Sequence, residues 1–225
     1  MPDLILNERP DNTSIIIITA ISLILVILIS FIKNFYKDFY QKLFRVSFRL
    51  NKSNTNFIDS VVLNNQAILI SLSIAILSIS TAIYTTVSFY KVKPQVYDEN
   101  NFTMFFIVLA IVGGYLIFKN ISIVILGKIF EQNNLAKQNI NYATCLIQIT
   151  GIILLPVYIL IPFTETLLSN FFMTTTILII IVSQIYFYFL FFFNLIKQKM
   201  LNFYTILYFC IFEVLPILFL YEMVL

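Results

Sequence analysis

The sequence predicts an all-α protein, a polytopic membrane helix bundle with six transmembrane helices and one interfacial amphipathic helix. Its 225 residues are 60% hydrophobic and only 11% charged, whereas a soluble domain has about 25% charged residues. Apolar runs of about 17 to 25 residues recur along the chain, and each is long enough to cross a hydrocarbon core of roughly 30 Å. We therefore expect a single integral-membrane domain over residues 1–225.

Hydropathy and charge place the six spans in order along the chain. A tail over residues 1–13 precedes the first span. The end of the third span is open, because residues 119–130 stay apolar and either continue the helix or lie at the membrane interface. The predicted spans cover residues 14–32, 67–89, 102–118, 142–161, 171–196 and 201–221.

Basic residues are distributed unequally between the two sides of the membrane. The connections after spans one, three and five, including the residues at their ends, carry eleven Lys and Arg residues, and the opposite side carries three. Cytoplasmic loops hold an excess of Lys and Arg. The sequence thus predicts a multi-pass membrane protein with both termini outside the cytoplasm.

The longest connection contains an amphipathic segment over residues 33–52. At about 100° per residue its apolar side chains share one face. We expect this helix to lie on the inner leaflet, where its basic face meets anionic lipid headgroups. Docking of a cytoplasmic partner is the alternative, and one helix could serve both purposes. The basic face consists of Lys37, Lys42, Arg45, Arg49 and Lys52.

The second span is rich in hydroxyl-bearing and small side chains. They recur at steps of four and three and so form one stripe of a helix. Small residues let another helix approach closely, which favours packing in lipid. A polar path for a substrate is the second interpretation. The stripe consists of Ser71, Ala75, Ser78, Ala82 and Thr85.

Glu213 is the acidic residue of the six predicted spans. At 1.5 Å per residue it lies about 18 Å from Leu201, well inside the apolar core. An ionised carboxylate there costs several kcal/mol. We expect Lys119 to extend to the interface rather than to pair with it, so Glu213 should be neutral and hydrogen-bonded. The hydroxyls at a similar depth are those of Ser78, Ser80 and Thr81.

Several classes of function lack the residues they need. The chain has no His, the usual general base and a common zinc ligand. Two cysteines, Cys145 and Cys210, fall inside predicted spans without metal-ligand spacing, so we expect no metal and no cofactor. Isolated acids and tyrosines do not favour an enzyme. Nucleic-acid binding has no support beyond the basic connection, which lipid headgroups explain better.

The stretch "YFCIFEVLP" in the last span resembles the most recognisable part of an uncharacterised family of small polytopic inner-membrane proteins from Bacteroidota. The resemblance extends to chain length and to the long basic segment after the first span. It implies an inner-membrane location and brings no activity with it. The residues that correspond to the family pattern are Tyr208, Cys210, Glu213 and Pro216.

Two functional hypotheses follow from these observations. The first is an accessory or scaffold subunit of a membrane complex, in which Glu213 fixes helix register or contacts a membrane-protein partner. The second is a small transporter or channel in which Glu213 handles protons or cations. The second hypothesis requires a water-accessible cavity at that residue, and the first does not.

Overall fold

A computed structural model describes residues 12–48, 65–89, 101–129, 133–164 and 166–197 of the chain. Within these ranges every regular element is helical and no strand occurs. The helices are α1 (Asn12–Phe35), α2 (Phe39–Phe48), α3 (Asn65–Phe89), α4 (Asn101–Ile129), α5 (Asn133–Leu160) and α6 (Thr166–Lys197), with a 3-10 turn at Ile161–Phe163.

Five of these six helices are long and apolar enough to cross a membrane. Their spanning segments are Ser14–Phe35, Gln66–Phe89, Phe102–Ile125, Ala136–Phe163 and Leu167–Phe193. Helices suit this setting because hydrocarbon offers no hydrogen bonds, so the backbone must satisfy its own polar groups. The predicted span 201–221 lies outside the described residues, and the predicted total of seven helices stays a prediction.

The observed helices begin and end at other residues than the hydropathy predicts. Helix α4 continues past Phe118 to Ile129, so residues 119–129 extend the third span. The segment 33–52 is not one helix in its described part, because α1 ends at Phe35 and a turn precedes α2. Residues 49–52 lie outside the described residues.

The centre of the bundle is the contact between α3 and α5. Helix α3 also packs against α1 and α4, and α5 also packs against α4, α6 and α2. Large apolar side chains from α1, α3 and α5 fill this interior, among them Leu25, Tyr84 and Tyr158, each fully buried. A second cluster joins Ile123 of α4 to Ala143 and Leu146 of α5 and Phe187 of α6.

The outer faces of the long helices are apolar. On α6 the exposed side chains include Leu178, Ile181 and Ile185. A soluble protein rarely exposes so continuous an apolar surface, whereas lipid chains accept one. The fold is therefore consistent with a multi-pass membrane protein.

Helix α2 lies against α5 at the end of the bundle where the basic connection is found. It buries Phe39 and Leu43 and exposes Gln41 and Lys42. Lys37, in the turn before α2, is exposed as well. Two predicted basic residues, Arg49 and Lys52, fall outside the described part of the chain.

Candidate functional site

The hydroxyl stripe of α3 is buried along its length, with Ser71, Ala75, Ser78, Ala82 and Thr85 each no more than 2% exposed. The predicted close approach of another helix is confirmed, and its partner is α5. A methyl group added to Gly151 of α5 would lie 2.5 Å from the Cα atom of Ala75. Only a glycine lets the two backbones come this near.

The three hydroxyls predicted to lie near Glu213 each donate a hydrogen bond to a backbone carbonyl oxygen. Ser78 donates across the interface to the carbonyl oxygen of Gly151 at 2.6 Å. Ser80 and Thr81 donate to carbonyls four residues earlier in α3, each at 2.7 Å. Glu213 itself lies outside the described residues, so its pairing with these hydroxyls stays a prediction.

The remaining residues of the predicted pattern lie outside the described part of the chain too. These are Tyr208, Cys210 and Pro216.

Of the other polar residues in the spans, Gln148 is 1% exposed and donates from Nε2 to the carbonyl oxygen of Ile68 at 3.2 Å. That bond joins α5 to the start of α3 and has a structural role.

The polar group that sequence analysis placed wrongly is Lys119. It does not extend to the interface, since its side chain is only 4% exposed and lies inside the bundle. Its Nζ donates to Oε1 of Gln184 on α6 at 3.1 Å. A lysine ten residues before the end of α4, about 15 Å along the helix axis, is thus held within the apolar region.

Aromatic rings surround the Lys119 amine. Its Nζ lies 3.8 Å from the ring centroid of Phe187, 5.1 Å from that of Tyr188 and 5.8 Å from that of Tyr115. The faces of such rings attract a cation, by about 2 kcal/mol or more where water is excluded. Together with the Gln184 amide oxygen, the rings favour a charged ammonium at this depth.

A cavity of about 40 Å³ adjoins Lys119, which gives room for a few water molecules. Four helices line it. The polar groups on its wall come from Lys119, Thr150, Ser183 and Gln184, and the apolar ones include Leu146 and Phe187. Lys119 is the buried lysine among the described residues, and we call the cavity and its polar wall the Lys119 site.

One sequence signal could have located this site. Lys119 stands in a mainly apolar run, "YLIFKNISIVIL", with too few polar residues around it to end a helix. Gln184 is likewise isolated in an apolar run. Two isolated polar residues in different spans are more easily accommodated when they meet each other than when they face lipid.

The described residues hold no group of three or more His, Cys, Asp or Glu side chains that could bind a metal ion. Cys145, a free cysteine in α5, is buried. The Lys119 site therefore offers hydrogen-bond donors, an amide oxygen and ring faces, which suit the binding of an anionic group rather than a metal.

The sequence matches a known protein family. The family described as "Domain of unknown function (DUF4271)" matches residues 18–224. The chain belongs to this family. The resemblance to an uncharacterised family is thereby confirmed, and the DUF4271 match includes the segment "YFCIFEVLP". Searches of curated proteins and of solved structures gave no significant match. Membership in DUF4271 assigns no activity, and a source in Bacteroidota stays a prediction.

Proposed function

We propose that this DUF4271 protein is an accessory or scaffold subunit of a complex in a bacterial inner membrane. The observation that carries the proposal is the closed contact between α3 and α5. The hydroxyl stripe of α3, the best candidate for a polar path, is buried against Gly151, and Ser78 donates to that glycine's carbonyl oxygen. The hydroxyls that would line a substrate path are therefore buried in the contact between two helices.

The proposed orientation has both termini outside the cytoplasm. Because Lys119 is buried in the bundle, it no longer counts toward the basic connections, and ten basic residues stand against three. A ratio of ten to three still supports the orientation. In this orientation, α2 and its neighbouring basic residues lie at the inner leaflet, where anionic headgroups and a cytoplasmic partner are the available ligands.

Purification of the tagged full-length protein in mild detergent tests the subunit proposal. A second tagged polytopic protein from the same membrane serves as the control for nonspecific capture. We expect one membrane protein to co-purify in a fixed ratio with this chain and not with the control, as judged by mass spectrometry of the purified material. A chain that purifies alone from membranes containing its natural neighbours contradicts the proposal.

A small transporter or channel with Glu213 as the proton or cation site is the second candidate, and the cavity beside Lys119 provides water-sized space within the spans. A buried charge next to a space of about 40 Å³ is a feature of ion paths in membranes. Purified protein in liposomes should then carry protons or small ions faster than protein-free liposomes. The flux should fall in the Glu213→Gln variant, because this hypothesis makes Glu213 the proton or cation site.

A further inference from the structure

The cavity of about 40 Å³ lies deep within the spans, where α3, α4, α5 and α6 each contribute to its wall. Thr150, on the α5 wall, is fourteen residues after Ala136 and thirteen before Phe163, the two ends of its spanning segment. At 1.5 Å per residue it lies about 20 Å from either end. Hydrocarbon at this depth offers no hydrogen bonds, so the polar groups of the wall need partners inside the protein.

The Gln184 side chain brings hydrogen-bond donors to the cavity wall. Its Oε1 accepts from Lys119 Nζ at 3.1 Å, so its Nε2 group is on the other branch of the amide. Among the described residues, no acceptor is bonded to this Nε2 group. A primary amide has two N–H donors, and leaving them without a partner in an apolar medium costs free energy. The amide therefore favours a ligand that accepts a hydrogen bond.

Two hydroxyl groups add acceptors to the same wall. Thr150 Oγ1 donates to the carbonyl oxygen of Leu146 at 2.8 Å, and Ser183 Oγ donates to that of Ile180 at 2.8 Å. A hydroxyl has one hydrogen to donate and two lone pairs that accept. Each hydroxyl thus uses its hydrogen within its own helix and keeps acceptor capacity, which favours a ligand that also donates.

The volume of the cavity restricts the ligand to the size of water. A cavity needs roughly 10 to 15 Å³ to hold one water molecule, which requires two to four polar partners. About 40 Å³ satisfies this requirement for a few water molecules. Sites for organic ligands are far larger, at roughly 300 to 1,000 Å³. Water is the ligand that fits both the volume and the mixture of donors and acceptors.

We propose that this cavity is a hydration site, in which ordered water accepts a hydrogen bond from Gln184 Nε2 and donates to the hydroxyl oxygens of Thr150 and Ser183. The water links α5 to α6 inside the membrane and leaves the bond between Lys119 and Gln184 as it is. A water-mediated bond is nearly as favourable in enthalpy as a direct one. The hydration site does not depend on the subunit or the transporter proposal.

Water contacts of glutamine side chains in the full-length protein test this site. NMR of protein with isotope-labelled glutamine detects cross-peaks between side-chain amide protons and water. Water held beside an amide gives cross-peaks of opposite sign in laboratory-frame and rotating-frame spectra, whereas exchange with bulk water gives the same sign. The signals are assigned by their loss in Gln184→Leu and Gln148→Leu. Gln148 is the control, because it is 1% exposed and its Nε2 donates to the Ile68 carbonyl oxygen.

We expect cross-peaks of opposite sign for Gln184 and none for Gln148. Thr150→Val preserves the side-chain shape and removes the hydroxyl, so the Gln184 cross-peak should lose most of its intensity. Ser183→Ala should weaken the same cross-peak. Thr174→Val is the matched control and should leave it unchanged, because Thr174 is exposed on α6 and its hydroxyl donates to carbonyls of its own helix.

Three results would overturn the hydration site. The first is the lack of a Gln184 cross-peak, or the same sign in both spectra. The second is an equal cross-peak at Gln148, because water would then enter the bundle without a specific site. The third is an unchanged Gln184 intensity in Thr150→Val. If Thr150→Val does not fold, Ser183→Ala decides the matter, and an unchanged intensity in that variant shows that the proposal is wrong.

Discussion

Gly151 of α5 lies so close to Ala75 of α3 that an added methyl group would be 2.5 Å from the Ala75 Cα atom and 2.9 Å from its Cβ atom. The Ser78 hydroxyl, one turn further along α3, donates to the Gly151 carbonyl oxygen at 2.6 Å. The absence of a side chain at one position thus permits both the backbone contact and the hydrogen bond. This interface holds the two central helices of the bundle together.

Substitution Gly151→Ala should destabilise the protein. The atom nearest to the added methyl group is the Cα of Ala75, a backbone atom, so α3 and α5 must move apart. Overpacking of this kind costs about 1 to 3 kcal/mol. Gly113→Ala is the matched control, because nothing lies within 4 Å of a methyl group there and alanine is the better helix former. With Cys210→Ala in both variants, thermal unfolding followed through the reaction of Cys145 with a thiol-reactive dye should show a lower midpoint for Gly151→Ala alone. Equal midpoints for the two variants would show that the α3–α5 contact has little influence on stability.

The sequence predicts the helices much better than it predicts which helices pack against each other. Long apolar runs locate the five described spans because crossing hydrocarbon requires about 20 apolar residues whatever the packing. The stripe of Ala75 and Ser78 also indicates a close helix contact. It does not indicate Gly151 as the partner, because pairing depends on three-dimensional complementarity that no local pattern records.

Lys119 shows why the polar site was harder to predict. A prediction from hydropathy ends a span at a lysine, and a lysine side chain can usually reach the interface. Here α4 continues to Ile129, and the amine is held by Gln184 and the Phe187 ring, residues 65 or more positions later in the chain. Such long-range contacts decide whether a charge is buried, and they are visible only once the helices are packed.

Loss of the Gln184 amide should weaken the Lys119 site. Gln184→Leu removes the oxygen that accepts from Nζ, and a hydrogen bond to a charged group contributes about 1.5 to 3 kcal/mol. Gln184→Glu keeps an acceptor and should lose less stability. Combining Gln184→Leu with Lys119→Met should cost less than the sum of the single changes, since the two side chains share one interaction. Strict additivity of the unfolding free energies would refute this coupling.

The basic residues near α2 should respond to the charge of the lipid. Lys37 and Lys42 are exposed in the protein, and each lysine near an anionic surface gains about 1 kcal/mol. In liposomes rich in phosphatidylglycerol, acetylation of these two amines should be up to roughly fivefold slower than in phosphatidylcholine. Nα-acetyl-lysine added to the same liposomes serves as the reference, with the rates at Lys37 and Lys42 read by peptide mass spectrometry. Equal slowing of Nα-acetyl-lysine would indicate a general effect of the lipid on the reagent rather than contact of α2 with headgroups.

The Tyr40 hydroxyl should make the protein sensitive to alkali. It is buried with no hydrogen-bond partner in the described part of the chain, and burial raises the pKa of Tyr40 to about 12 from an ordinary value of about 10. Below pH 10 the hydroxyl is protonated in the folded and the unfolded chain alike, so this group adds no pH dependence. Between about pH 10 and 12 the unfolded chain loses the proton while the folded chain keeps it, so stability falls as the pH rises.

Tyr40→Phe should remove this part of the alkaline loss and should not lower stability at neutral pH, because it deletes a buried polar group that makes no bond. Tyr36→Phe is the control. The Tyr36 hydroxyl is exposed and donates to Oε1 of Gln66 at 3.3 Å, so this variant shows the effect of removing a tyrosine hydroxyl that has a hydrogen-bond partner. Thermal midpoints of the three proteins at pH 8 and at pH 11 provide the comparison. If Tyr40→Phe loses as much stability as the wild type between these pH values, the alkaline sensitivity arises from another group.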